Sequence, residues 1–258
     1  MALFNDWCKR SRDENGRKSL WTFTEKAGGR DRIKSGLCET VRSHYDSLNR
    51  IADDVVRLGY KIAAEILRER LPRTKKARSG DLGEILASEL VEEKLHFNVP
   101  VRRMRYKDGR EVPLRGDDLI GVRYDKEDGL RLLKGESKSR KVLAKDTIAA
   151  ARKTLNRNNG RCSPSSLLFI ADRLLEGEGG DAELGRAIRK EVGTKALRPK
   201  QIDHVLFTLS GNAPPPALKD DLEAADGKRQ QTTINVCIED HQEFIAEIYK
   251  GAGNLGDD

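Results

Sequence analysis

Two short charged runs near mid-chain hold the residues best suited to chemistry: Asp117-Asp118 with Arg115 upstream, and Glu136-Ser137-Lys138 with Arg140 downstream. The second run follows the apolar pair Leu132-Leu133, as a strand leading into a site would. Alternate strand residues share a face, so Glu136 and Lys138 are expected to point one way and Ser137 the other. A carboxylate beside an ammonium, facing an acid on a neighbouring strand, can hold a divalent cation and place a water next to it. That is the layout of a metal-dependent phosphodiester-cleaving centre. Asp118 directly leads the apolar run Leu119-Ile120-Gly121-Val122 and is the expected ligand. Asp117 should face away, unless a bulge at Gly116 reverses the pair.

These residues need elements to position them. Ile51, Val55, Leu58, Ile62 and Ile66 recur at helical spacing and predict a helix ending before Pro72. Ser79 reads as the N-cap of a second helix over 81–94, with an apolar stripe of Leu82, Leu86 and Leu90. Residues 98–106 and 111–122 are expected to pair as a hairpin through Asp108-Gly109, with a further turn at 126–129 and a third strand over 130–138. Helices are expected over 142–156, from Ser163-Pro164, and over 182–192. Strands at 203–209 and 232–238 follow, separated by a surface loop after Pro214-Pro215-Pro216. Asp240 should cap a last helix to Tyr249. The order helix, three antiparallel strands, helix implies an α/β fold with a mixed β-sheet flanked by helices. Residues 1–50 carry no comparable pattern and are expected to be a capping or partner-binding segment. Residues 51–251 would form the main domain, and 252–258 a frayed tail.

Composition agrees with an anionic partner without demanding one. The 258 residues carry net charge +7, from 49 basic and 42 acidic side chains, and a solvated charged surface explains much of that. The basic residues nevertheless crowd the candidate site: Arg102, Arg103, Arg105 and Arg115 precede the acids, and Arg140, Lys141 and Lys145 follow them. These are the candidate contacts to nucleic acid. Cys8, Cys38, Cys162 and Cys237 are too scattered for a zinc site or a disulfide framework, and the four histidines show no helical metal-site spacing. Trp7, Trp21 and Tyr45 could stack on bases, although core packing is the commoner fate. No signal-peptide pattern or membrane-length apolar stretch occurs, so a cytoplasmic protein is expected. No Walker motif occurs, so ATP hydrolysis is not expected of this chain.

Asp118, Glu136 and Lys138, with Glu84 in the preceding helix, resemble the PD-(D/E)xK phosphodiesterase superfamily, whose core is restriction-endonuclease-like. A wider set, Gly83-Glu84-Ile85-Leu86-Ala87, Gly116-Asp117-Asp118-Leu119, Gly135-Glu136-Ser137-Lys138 and Ile238-Glu239-Asp240-His241, is similar to the HamA family of Hachiman antiphage nuclease subunits. The likeness runs over roughly residues 50–250. It implies a DNA nuclease dependent on Mg²⁺ or Mn²⁺ and held by a helicase partner, HamB. In that reading Asp118, Glu136, the Ser137 carbonyl and Glu84 hold the metal, and Lys138 orients the attacking water. The Glu-x-Lys pattern by itself fits an ordinary cross-strand ion pair. The rival functions are a catalytically silent nucleic-acid or helicase-binding adaptor and a sequence-specific restriction endonuclease.

Overall fold

The computed structural model describes residues 2–125 and 129–255. The apolar runs become strands β3 (Leu119–Asp125), β4 (Gly129–Arg140), β5 (Ile202–Ser210) and β6 (Gln231–Cys237). A hairpin of β1 (Cys8–Asn15) and β2 (Lys18–Glu25) joins them in one six-stranded sheet, ordered β1-β2-β6-β5-β4-β3. β1 and β2 are antiparallel, as are β3 and β4, whereas β2, β6, β5 and β4 run parallel in series. The sheet is therefore mixed, with helices on both faces. The parallel strands β5 and β6 are buried along almost their whole length, as strands covered on both faces must be.

Ten helices surround the sheet among the described residues: α1 (Leu3–Trp7), α2 (Gly29–Tyr45), α3 (Leu48–Leu58), α4 (Tyr60–Arg70), α5 (Lys75–Leu95), α6 (Lys145–Leu155), α7 (Pro164–Leu175), α8 (Gly180–Thr194), α9 (Ala217–Ala224) and α10 (His241–Ala252). Strand alternation sorts the core. Leu119, Leu133, Val205, Phe207 and Leu209 pack with α2, α5 and α10. Ile120, Val122, Leu132 and Ile202 pack with α7 and α8, and Leu206 packs with α6 and α9.

Several expected elements take another form. The hairpin across 98–122 does not form. Residues Arg103–Tyr106 make a 3-10 turn, β3 begins only at Leu119, and Asn98 alone bridges to Val122. Pro100 and Pro113 lack the N–H a ladder requires. Gly116 turns the chain at φ +98° so tightly that a Cβ there would stand 2.2 Å from Ser166 Oγ. The central strands are thus an antiparallel pair joined to a parallel one, not three antiparallel strands. The helix expected from Ile51 breaks at Gly59, φ +83°, into α3 and α4. α5 starts at Lys75, because Thr74 Oγ1 accepts from Ala77 N–H and caps it, which leaves Ser79 inside the helix. α6 begins at Lys145, α9 occupies part of the presumed loop after Pro216, and Asp240 precedes α10 with φ +45° and no side-chain cap.

Residues 1–50 share the main core. Trp7 stacks on Phe244 with ring centroids 5.3 Å apart and donates to Glu25 at 2.9 Å. Trp21 is 3% exposed, beneath the guanidinium groups of Arg10 and Arg12. Tyr45 is buried and donates to Asp81. None of the three is free to stack on a base or anchor a partner. The turn expected at 126–129 lies outside the described residues except for Gly129, as do the last residues of the tail, 256–258.

Candidate active site

The β3–β4 register pairs Leu119 with Gly135, so its continuation by one residue sets Asp118 across from Glu136. Asp118 Oδ2 accepts the backbone N–H of Ser137 at 3.0 Å, which ties the residue before β3 to the middle of β4. Lys138 Nζ donates to Glu136 Oε1 at 2.5 Å and to the Ser137 carbonyl at 3.2 Å. Glu136 and Lys138 therefore share a face, as strand alternation requires. Ser137 and Ser139 point to the opposite face, where α5 packs. A Cβ on Gly83 would lie 2.9 Å from Ser137 Oγ and 3.2 Å from Ser139 Cβ. Glycine at 83 lets helix and strand approach closely enough to bring Glu84, the next residue, to the site. Glu84 interacts electrostatically with Asp118, and so does Glu136, so Asp118 bridges the two.

These acids lie in surroundings that oppose their charge. Burial raises Glu84 well above its ordinary carboxylate range, Asp118 adds to the rise, and Arg103 partly offsets it. Burial also raises Asp118, against the Ser137 N–H bond and the charges of Lys138 and Arg103. Glu136 is pushed up to about 7 by burial and then by Asp118, with Lys138 opposing. Mutual repulsion of desolvated carboxylates is relieved by a cation or a proton. Besides Lys138, Arg103 supplies a cation of the protein's own here. Its Nη1 lies 3.6 Å from Glu84 Oε2, and its Nη2 donates to the Arg115 carbonyl at 2.8 Å. Glu84 Oε2 is buried and has no hydrogen-bond partner. One helical turn earlier, Asp81 receives Lys107 Nζ at 2.7 Å and the Tyr45 hydroxyl at 2.5 Å. Sequence reasoning missed this buried Asp81–Lys107 pair because Lys107 looked like part of a surface turn.

Asp117 has a different fate. It is 4% exposed, and its Oδ2 accepts the Ser163 N–H ahead of α7 at 2.6 Å. Its Oδ1 lies 3.5 Å from Lys134 Nζ, which also donates to the carbonyls of Thr154, Arg157 and Arg161. Asp117 and Lys134 lock α6 and α7 onto the sheet. The candidate nucleic-acid contacts divide as well. Arg102 pairs with Glu92 and Glu89, and Arg105 donates to the Ser43 carbonyl, so both are occupied within the fold. Arg115, Arg140, Lys141 and Lys145 are exposed, the last three just beyond the Glu-x-Lys strand.

Among the described residues no three acids, histidines or cysteines already stand close enough to share one ion. The donor set nonetheless suits a hard cation: carboxylate oxygens, one buried and unpartnered, beside a strand carbonyl. Asp118, Glu136, the Ser137 carbonyl and Glu84 are the groups that would hold it.

The sequence profile of the HamA family matches residues 1–252. Over 117 residues the chain is 35% identical to the Hachiman protein HamA of Bacillus cereus. That stretch is 45% of this chain and spans 40% of the relative's length.

Proposed function

The chain belongs to the HamA family, and we propose that it is a metal-dependent DNA nuclease of an antiphage defence system, cutting phosphodiester bonds with little sequence specificity. The observation that carries this reading is Asp118 bonded to the Ser137 N–H and interacting electrostatically with Glu136, to which Lys138 is bonded. Phosphodiester hydrolysis needs a positioned water and neutralised phosphate charge. Mg²⁺, or Mn²⁺, would supply a water of lowered pKa and a cation for the phosphate when bound. Lys138 orients the attacking water and offsets phosphate charge. Asp118 and Glu136 would hold the cation, and Glu84 would complete its surroundings. Arg115, Arg140, Lys141 and Lys145 track neighbouring phosphates. No base-reading module was evident in the sequence, which favours indiscriminate cutting.

An indiscriminate nuclease needs restraint, and a helicase-type ATPase subunit resembling HamB is the proposed partner. Its docking surface is placed on helices α3 and α4, where Leu48, Val56, Tyr60 and Ile62 are all more than half exposed. No helix is long and apolar enough to cross a membrane among the described residues.

The test is purified protein, alone and with a HamB-type helicase, on linear, nicked and circular DNA in Mg²⁺ or EDTA. Cutting that needs the divalent ion and disappears in Glu136→Ala supports the reading. Binding without cutting in any divalent ion returns the chain to a silent adaptor. A helicase that co-purifies equally with the Val56→Asp/Ile62→Asp variant removes the docking surface.

A further inference from the structure

A pocket of about 140 Å³ lies on the other side of the Asp117–Asp118 backbone from α5. Leu114, Ile120, Phe169 and Ile170 supply its apolar wall, and the largely buried Arg103 and the exposed Arg115 line it too. Tyr106 braces the Phe169 ring edge-on at 5.5 Å, and Arg173 lies over both rings. We propose that this pocket receives one unpaired nucleobase of the DNA strand held at the acidic centre. The inference rests on the nuclease reading above.

Size, chemistry and position carry it. The volume is well below the roughly 300–1,000 Å³ of ordinary small-molecule sites, leaving room for a single ring system. An aromatic wall with arginine at the rim is the combination that stacks bases without reading their identity. The nearby polar groups are already engaged. Asp117 Oδ2 accepts from Ser163 N–H, and Ser166 Oγ takes part in bonds with Asp117 N–H and Ser163 Oγ. Few groups therefore remain to distinguish one base edge from another, which agrees with cutting of low sequence specificity. Position is the strongest argument. Arg103 lines the pocket and also reaches to 3.6 Å from Glu84. Asp117 lines it too, and the next residue, Asp118, stands opposite Glu136. The pocket and the acidic centre thus share a guanidinium and a peptide unit. A strand with a phosphate at Glu136 and Lys138 would have a base of the same or the adjoining nucleotide at the pocket mouth. Such a base must leave its stack, so the substrate at the moment of cutting is locally single-stranded.

The test uses the full chain carrying Glu136→Gln, in EDTA, with short single-stranded oligonucleotides in which each base in turn is replaced by an abasic site. Tethering the strand to one position with a 5′ hairpin fixes the register. The expected result is one position at which base removal weakens binding about 5- to 100-fold. That loss should vanish in Phe169→Ala and persist in Phe169→Tyr. Ser165→Trp, from the exposed lip of the pocket, fills it without touching the core and should also abolish the difference, which covers the case in which Phe169→Ala fails to fold. A flat scan overturns the proposal, and so does a sensitive position that persists in Ser165→Trp. A partner side chain as the true occupant would show as a flat scan with helicase binding lost in Ser165→Trp. Failure of the nuclease reading has its own signature: Glu136→Ala that cuts DNA as well as the parent chain.

Discussion

Asp117 and Asp118 share a peptide bond and face different surroundings. Asp117 meets a buried lysine and the N–H of Ser163, and that lysine donates to three backbone carbonyls besides. Asp118 meets one backbone N–H and two other carboxylates, Glu136 and Glu84. Both clusters contain a lysine on β4, Lys134 for the first and Lys138 for the second. In the first, hydrogen-bonding capacity is filled, so the charges fasten helices to the sheet. In the second, like charges are crowded and one carboxylate oxygen is left without a hydrogen-bond partner, so nothing in the fold offsets their repulsion in full. Two lysines four residues apart on one strand differ in role because of what surrounds them and not because of what they are.

The contrast predicts opposite phenotypes. Glu136→Ala or Lys138→Ala should reduce DNA cleavage by about 10³-fold or more while thermal unfolding stays cooperative. Full cleavage by the folded double variant would erase the distinction from the active side. Lys134→Met should do the reverse, with cleavage per folded molecule retained and stability lowered by about 3–5 kcal/mol, because Asp117 is left buried without its cation. Urea titration measures it, and a midpoint equal to the parent's would show that the lock holds nothing. Glu84→Gln should raise stability by about 1 kcal/mol, since it removes a desolvated charge facing Asp118.

Acid should act on the locked side too. His204 is 1% exposed, bonds the Gly160 carbonyl, and is lowered to about 4 by burial, with Arg229, Arg152 and Lys134 adding to the fall. Below its unfolded pKa near 6.5 the unfolded chain takes up a proton that the folded chain refuses. Stability should therefore fall as pH drops from 6.5 towards 4, by on the order of 3 kcal/mol in total. Unfolding midpoints across that range should decline more shallowly in His204→Gln, and equal slopes would exclude His204 as the cause. The smallest effect concerns the basic side chains. Removing Arg140 and Lys141 should reduce the salt slope of duplex binding by about 0.9 for each lost phosphate contact. Arg102→Ala, which breaks contacts with Glu89 and Glu92, should leave that slope unchanged.

What the sequence disclosed follows the range of the forces involved. The strands around Glu136 and the helix after Pro164 were legible because alternation and capping are written in neighbouring residues. The preference for Asp118 over Asp117 came from the same local alternation. The surroundings of Glu84 were not legible: Leu82, Leu86 and Leu90 mark one apolar stripe, whereas the middle of α5 is buried nearly all round. The false hairpin over 98–122 came from trusting Asp108-Gly109 over Pro113 and Gly116. The inward turn of Arg102 and Arg105 depends on Glu89, Glu92 and Ser43, on elements distant in sequence, and no local pattern encodes it. The same holds for Trp7 and Trp21, whose burial depends on strands and helices from the other end of the chain.

The seam between β2 and β6 reaches into biosynthesis. Trp21 pairs with Ile234, so β2 has its parallel neighbour only after 213 further residues are made. At about 5–20 residues per second the ribosome needs roughly 10–40 s to supply them. Glu84, Asp118, Glu136 and Lys138 all emerge earlier, yet β5, next to β4, has its other edge open until β6 arrives. A cell translating this chain thus holds the sheet unfinished until Gln231–Cys237 has been made.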